Sequence, residues 1–310
     1  MAGEQTPTGG SKGWLFLSVA VQSLIGASMV PVRYLQTVAG FPSLGIMGIA
    51  DLLAFSVMAW FMIPKIKKCD LRSKTLWIMV AIVVFRTIVL TFANRFTTTY
   101  IVQLINLLAP FMVIVFDRFV NHTQLPKFTI AAIFLSLIGG GLIIFGGIKD
   151  QPLANLLTPI DALGLILSLI GTVGIAAYMV IVKHGQQVGL PFEVVYISQV
   201  GTMAILMTGT SLVVGENWQA FRTIDWQSGL ALAFLAFGME VGLKVGNITT
   251  LRKLGAPLVS SMMAVRLVGA IFLGWFILGE KPESLLQWMG TVIVVVTISW
   301  YLSRQTGIED

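Results

Sequence analysis

Inside otherwise apolar stretches of this sequence stand Asp51, Arg86, Glu240, Lys244 and Arg266. An ion held away from water is costly unless it is paired or wetted, so each is a candidate for binding or moving a charged partner. Arginine offers a planar fork matched to carboxylate or phosphate, and lysine a compact point charge. Three such cations favour an anionic or zwitterionic solute, such as an amino acid, over a lipophilic cation. Glu240 and Asp51 are the candidates for taking up and releasing a proton. The competing explanation is internal neutralisation. Glu240 and Lys244 are four residues apart and can pair on one helix, and Arg86 or Arg266 can find a carboxylate in Asp51, Glu240 or Asp117.

Neutral polar residues fall on faces. At about 100° per residue, Thr99, Gln103, Asn106, Pro110 and Asp117 lie within about 60° of one another, and Gln22, Gly26, Met29 and Arg33 share a similar narrow face. Such a stripe either lines a cavity or joins two helices by hydrogen bonds. Gly238, Gly242 and Gly246 form a small-residue ridge, with Glu240, Lys244 and Asn247 on the opposite face. A ridge packed against one neighbour turns the charged face toward a second neighbour or a wet cavity. Tyr178 can hydrogen-bond a solute or simply pack. The binding set read from sequence is therefore Gln22, Arg86, Thr99, Gln103, Asn106, Tyr178, Glu240, Lys244 and Arg266.

These side chains need elements that hold them at membrane depth. Of 310 residues, 56% are hydrophobic and 11% charged, against about 25% charged in a soluble domain. One core cannot absorb so much apolar surface; a bilayer can. A crossing helix needs about 20 apolar residues, and such stretches fall at about 14–34, 42–63, 75–93, 97–119, 128–148, 160–183, 191–214, 228–249, 256–279 and 283–303. The expected fold is an all-α polytopic membrane protein with ten transmembrane helices. Residues 1–13 read as a disordered cytoplasmic tail, 149–159 as an extracytoplasmic linker and 304–310 as a second cytoplasmic tail; no cleavable signal is apparent. With the N-terminus inside, cytoplasmic segments hold twelve of the 20 Lys and Arg and the opposite side five. That bias places both termini in the cytoplasm. It also explains the net charge of +6 as loop cations beside anionic lipid, without a nucleic-acid partner.

The two halves resemble each other. Ser23-Leu24-Ile25-Gly26 recurs as Ser168-Leu169-Ile170-Gly171, and a proline opens the next helix in both, at Pro42 and Pro191. Five helices per half is odd, so 14–148 and 160–303 would insert upside down relative to each other. The expected arrangement is two inverted five-helix repeats with solute between them near the midplane. Other chemistry lacks its residues. Cys69 is the only cysteine, a loop residue in the basic run from Lys65 to Lys74, which excludes an internal disulfide and a cysteine metal cluster. His122 and His184 read as loop residues with no metal-site spacing, and no Gly-x-x-x-x-Gly-Lys-Ser/Thr loop is present for nucleotide. No metal and no cofactor are expected. A lipid-modifying membrane enzyme would need an acidic or histidine cluster at the membrane edge, and no Asp-rich motif occurs among the 14 acidic residues.

Several segments carry a family pattern. Ala93-Asn94-Arg95-Phe96-Thr97-Thr98-Thr99, with Pro110 after it, resembles the Ala-Leu-Arg-Tyr-Thr start of the fourth helix in the drug/metabolite transporter superfamily. Leu251-Arg252-Lys253-Leu254-Gly255-Ala256-Pro257, then Gly274-Trp275-Phe276-Ile277-Leu278-Gly279-Glu280, resembles the EamA-type signature ending in Gly-Trp-x-x-Leu-Gly-Glu. The resemblance spans nearly the whole chain. It departs at Asn121-His122, where Gly-Glu is usual, at Val268, which replaces a second proline beside Arg266, and at Asp51, near where arginine is common. The resemblance implies a ten-helix exporter or exchanger of amino acids, other metabolites or drugs in a bacterial inner membrane. The expected function is secondary active transport of a small polar metabolite by alternating access, as a monomer or homodimer, with a proton or counter-substrate. A multidrug or lipophilic-cation exporter is the rival.

Overall fold

The computed structural model describes residues 11–67, 70–96, 102, 105–106, 108–121, 127–147, 159–278 and 284–306. Among the described residues every regular element is helical, one of the two ways a backbone can satisfy itself without water in a bilayer. Rod α1 is Ser11–Ala27, extended by Met29–Arg33 and a π-helical turn, Tyr34–Val38. Then follow α2 (Ser43–Met62), α3 (Lys74–Phe96), α4 (Ala109–Val120) and α5 (Thr129–Gly147). In the second half come α6 (Pro159–Gln187) and α7 (Phe192–Val213). Rod α8 runs through Trp226–Ala233, a π segment Phe234–Leu243, and Lys244–Leu254. Rod α9 is Ala256–Ser261, resuming as Val265–Leu278, and α10 is Leu285–Thr306.

Among the described residues six stretches are long and apolar enough to cross a membrane: Lys12–Gln36, Ser43–Lys65, Lys74–Ala93, Leu163–Gln187, Phe192–Val213 and Trp226–Leu254. Thr129–Leu142 and Leu285–Tyr301 are shorter apolar helices. Polarity is inverted relative to a soluble protein. Phe16, Trp60, Val213 and Leu285 are 76–88% exposed, while Gln22, Asp51 and Gln199 are fully buried. Such a surface belongs in lipid, and the chain is an integral membrane protein.

Helices of one half pack chiefly on helices of the other. The main contacts are α1 with α9, α2 with α7, α3 with α6 and α5 with α10; α4 rests on α6 and α9, α8 on α1 and α2, and α3 on α7. Exchanging α1–α5 with α6–α10 in order carries this set onto itself. The α1–α9 contact becomes α4–α6, α3–α6 becomes α1–α8, and α2–α8 becomes α3–α7. Local geometry repeats as well. Gly40 and Gly189 both take a left-handed φ, +70° and +79°. Each precedes a buried apolar residue, Phe41 or Leu190, and then a proline in extended conformation that starts α2 or α7. Only glycine adopts that φ without strain, and proline's missing N–H is harmless at a helix start. Ala109-Pro110 opens α4 as Ala256-Pro257 opens α9.

Helix starts find partners where proline supplies none. The Glu216 carboxylate, in the α7–α8 connection, accepts from the Leu44 and Gly45 N–H groups at 3.0 and 3.2 Å and from the Ser211 hydroxyl at 2.7 Å. It thereby caps α2 from across the bundle. Asp225 caps α8 itself, accepting from Ser228 N–H at 3.1 Å, and hydrogen bonds from Ser228 hold its carboxyl below the usual carboxylate range.

Two expectations change. The π segment of α8 alters the angular register, so the glycine ridge is not one contact surface. Gly238 faces Phe234 of its own helix, Gly242 is exposed, and only Gly246 meets a neighbour, Val21 of α1. His184 belongs to the last turn of α6 rather than to a loop. Cys69, His122, residues 1–10, most of the 149–159 linker, Gly279-Glu280 and residues 307–310 lie outside the described residues.

Rods α1 and α9 cross backbone to backbone. A Cβ at Gly26 would collide with the Arg266 backbone, and one at Gly269 with the Ser23 backbone. Gly26→Val is therefore expected to lower the melting temperature of the purified protein sharply. Gly209→Ala, in α7 where an added Cβ meets nothing within 4 Å, should leave it unchanged or raise it through a helix-propensity gain of about 1 kcal/mol. Equal melting temperatures for the two variants would show that α1 and α9 do not cross this closely.

Candidate functional site

A cavity of about 170 Å³ lies between the two halves. Each half contributes to its wall: α1 through Met29 and Gln36, α3 through Arg86 and Thr91, Asn106 just ahead of α4, α6 through Tyr178, α8 through Glu240 and Lys244, and α9 through Arg266. Apolar side chains separate these groups, among them Met29, Met47, Met203 and Met239.

The electrostatic centre is Lys244. Its Nζ lies 3.1 Å from Asp51 Oδ1 of α2 and contacts Glu240 Oε2 one turn back in its own helix. The carboxylate side chains are 1% and 5% exposed and the lysine 15%, so the pairing is shielded from water and the cation has the greater access. Two carboxylates on one ammonium leave a formal charge of −1 when both are ionised. Tyr196, wholly buried on α7, donates to the Glu240 backbone carbonyl at 2.9 Å, a second partner for an oxygen in the π segment.

The two arginines are held differently. Gln22 accepts from Arg266 Nε at 2.7 Å and donates through Nε2 to Asn247 Oδ1 at 3.0 Å, tying α1 to both α8 and α9. Arg86 Cζ sits 4.4 Å from the centroid of the Tyr178 ring, a cation–π contact. Tyr178 in turn donates to Gln199 at 3.1 Å. Among the described residues neither arginine forms an ion pair with a carboxylate. Internal neutralisation, open from sequence, applies to Lys244 and not to them.

Backbone irregularity concentrates here. Gln36 comes from the π turn of α1, Met239, Glu240 and Leu243 from the π segment of α8, and Arg266 follows the break at Met262–Ala264 in α9. Irregular backbone at membrane depth is tolerated where it lines a cavity, and π segments recur at functional sites. Periodicity gave no sign of these three departures, since the local composition stays apolar throughout.

Of the residues singled out from sequence, Arg86, Asn106, Tyr178, Glu240, Lys244 and Arg266 share the cavity wall. Gln22 stands behind Arg266, and Asp51 behind Lys244. Asn106 accepts from Thr172 of α6 at 3.0 Å. Asp117, on the same predicted face, lies away from the cavity and accepts from Asn121 at 2.7 Å. Thr99 and Gln103 lie outside the described residues. Met29 lies on the first-helix face read from sequence, whereas Gln36, Met47, Met203 and Met239 were missed; a single amide and apolar residues at helical spacing carry no distinguishing signal.

Lys244→Met leaves two buried carboxylates without a cation and is expected to cost about 3–5 kcal/mol. Asp51→Asn leaves a balanced Glu240–Lys244 pair and should cost much less. Melting temperatures of the two purified variants test this, and a larger loss from Asp51→Asn would mean that Lys244 is not the shared partner.

No curated protein matches the chain by sequence. A solved structure described only as "Crystal structure of protein" has a TM-score of 0.71 and 14% identity, covering 94% of this chain and 97% of its own. At that identity the likeness concerns the fold, and it extends over nearly the entire chain. Residues 162–303, the span from α6 into α10, match the model of the EamA-like transporter family, with the Leu251–Pro257 segment and its Gly274-Trp275 continuation inside the match. By this match the second half of the chain, residues 162–303, is recognised as similar to the EamA-like transporter family.

Proposed function

We propose that the protein is a secondary transporter that carries a small anionic or zwitterionic metabolite across a bacterial inner membrane by alternating access, in export or exchange. The observation that carries this reading is the cavity between the halves, where Arg86, Lys244 and Arg266 converge at membrane depth. The symmetric helix pairing supports ten crossing helices arranged as two inverted repeats, 14–148 and 160–303, which would rock about that cavity. The placement of Lys and Arg supports cytoplasmic termini.

In this reading Arg86 and Arg266 hold the anionic group, Asn106 and Tyr178 add neutral hydrogen bonds, and Gln22 orients Arg266. Thr99 and Gln103 extend the Asn106 face. Asp51 and Glu240 carry the coupling proton and exchange it through their competition for Lys244. The volume of about 170 Å³ falls below the roughly 300–1,000 Å³ of pockets for drug-sized ligands, which favours a small metabolite over a multidrug role.

Purified protein in proteoliposomes should move at least one labelled carboxylate or amino acid, faster with an imposed pH gradient. Arg86→Gln and Arg266→Gln each remove a charge-assisted hydrogen bond worth about 1.5–3 kcal/mol and should reduce that flux tenfold or more. Folded protein that moves no member of a broad metabolite panel would overturn the reading.

A further inference from the structure

We infer, resting on the transport reading above, that the solute is a small monocarboxylate with an apolar body and no ammonium group, rather than an amino acid. The donors and acceptors of the cavity wall are unequally free. Asp51 and Glu240 are the carboxylates beside the cavity among the described residues, and Lys244 contacts one oxygen of each, leaving Asp51 Oδ2 buried without a hydrogen-bond partner. Asp51 does not reach the wall. An ammonium placed here meets three cations on the wall, Arg86, Lys244 and Arg266, and one carboxylate, Glu240, that is already paired with Lys244. A buried charge without a partner is disfavoured.

Donors, by contrast, are in surplus. Arg86 Nε and Gln36 Nε2 are buried and lack a hydrogen-bond partner among the described residues, and both residues line the cavity. Arg266 is fixed through Nε by Gln22, which leaves the far edge of its guanidinium directed away from that bond. A carboxylate is an acceptor-only group that takes such donors, two from one guanidinium fork. With both carboxylates ionised, the cavity's formal charge is +3 from Arg86, Lys244 and Arg266 and −2 from Asp51 and Glu240. One anionic charge balances the remaining +1, and a dianion overshoots it.

The rest of the wall describes the rest of the solute. Met29, Met47, Met203 and Met239 come from four different helices, joined by Ile175 and Val83. Methionine packs adaptably around apolar groups of varied shape. A short branched or linear aliphatic tail suits that wall and the small volume.

The test compares ligands that differ in one group. Binding of leucine, of its 2-oxo analogue, of a branched-chain amine and of a C4 dicarboxylate is measured on the purified full-length protein by thermal stabilisation and calorimetry. The 2-oxo acid is expected to bind at least tenfold more tightly than the other three. Arg86→Gln should weaken it tenfold or more. Gln36→Glu, nearly isosteric, places a free carboxylate in the wall and should strengthen leucine binding while weakening the 2-oxo acid. Leucine binding as tightly as the 2-oxo acid would overturn the inference, as would an unchanged preference in Gln36→Glu or no binding by any of the four. Leucine flux in proteoliposomes would leave the transport reading intact while this inference fails; no flux of any solute would remove the transport reading itself.

Discussion

Lys244 lies between Asp51 and Glu240, and much of the structure follows from keeping that cluster out of lipid. Two carboxylates and an ammonium cannot face hydrocarbon, so α2 and α8 must stay together at this depth. Because α2 belongs to the first half of the chain and α8 to the second, the Lys244–Asp51 pair also joins the halves. The surrounding hydroxyls are committed to the same region. Tyr196 bonds the Glu240 carbonyl and Tyr178 bonds Gln199, so that a cluster of polar groups from α2, α6, α7 and α8 stands inside an apolar bundle. Satisfied networks of this sort rigidify what they connect.

Close approach does the rest. Between helices in lipid there is little hydrophobic driving force, and association relies on van der Waals contact and interhelical hydrogen bonds. Gly26 and Gly269 allow α1 and α9 to approach backbone to backbone. Gln22 lies one turn from Gly26 and so comes within reach of Arg266. The hydrogen bond that orients a cavity cation is thus a consequence of a glycine at the crossing. Gly171 and Gly174 leave room on α6 for side chains of α3, Leu90 against the first and Arg86 against the second. In both cases a small residue in one half positions an arginine in the other.

The cavity exists because three helices are imperfect there. Regular α-helices packed this closely would fill the centre with side chains. The π segments of α1 and α8 and the break in α9 turn Gln36, Glu240 and Arg266 toward a common space. They lie where polar groups can receive the backbone that the irregularities release.

Several properties were legible in the residues alone. Apolar length marked where most of the helices of the described residues lie, because the energy of transferring a helix into lipid is a local sum over its side chains. The mid-membrane ions were conspicuous for the same reason. The recurrence of Ser-Leu-Ile-Gly and of Pro42 at Pro191 pointed to related halves, and the glycine turns before both prolines bear the same geometry. Pairing was decided only by the tertiary structure. Asp51 and Lys244 are 193 residues apart, Gln22 and Arg266 are 244 apart, and helical periodicity says which residues share a face but not which face meets it. Register was the other unknown. The 100° arithmetic holds only while hydrogen bonds run four residues back, and in α8 the packing around Tyr196 and the ion cluster accompanies a different spacing. Local chemistry determined that the chain enters the membrane with charges inside it; the choice among possible partners for those charges is a property of the whole bundle.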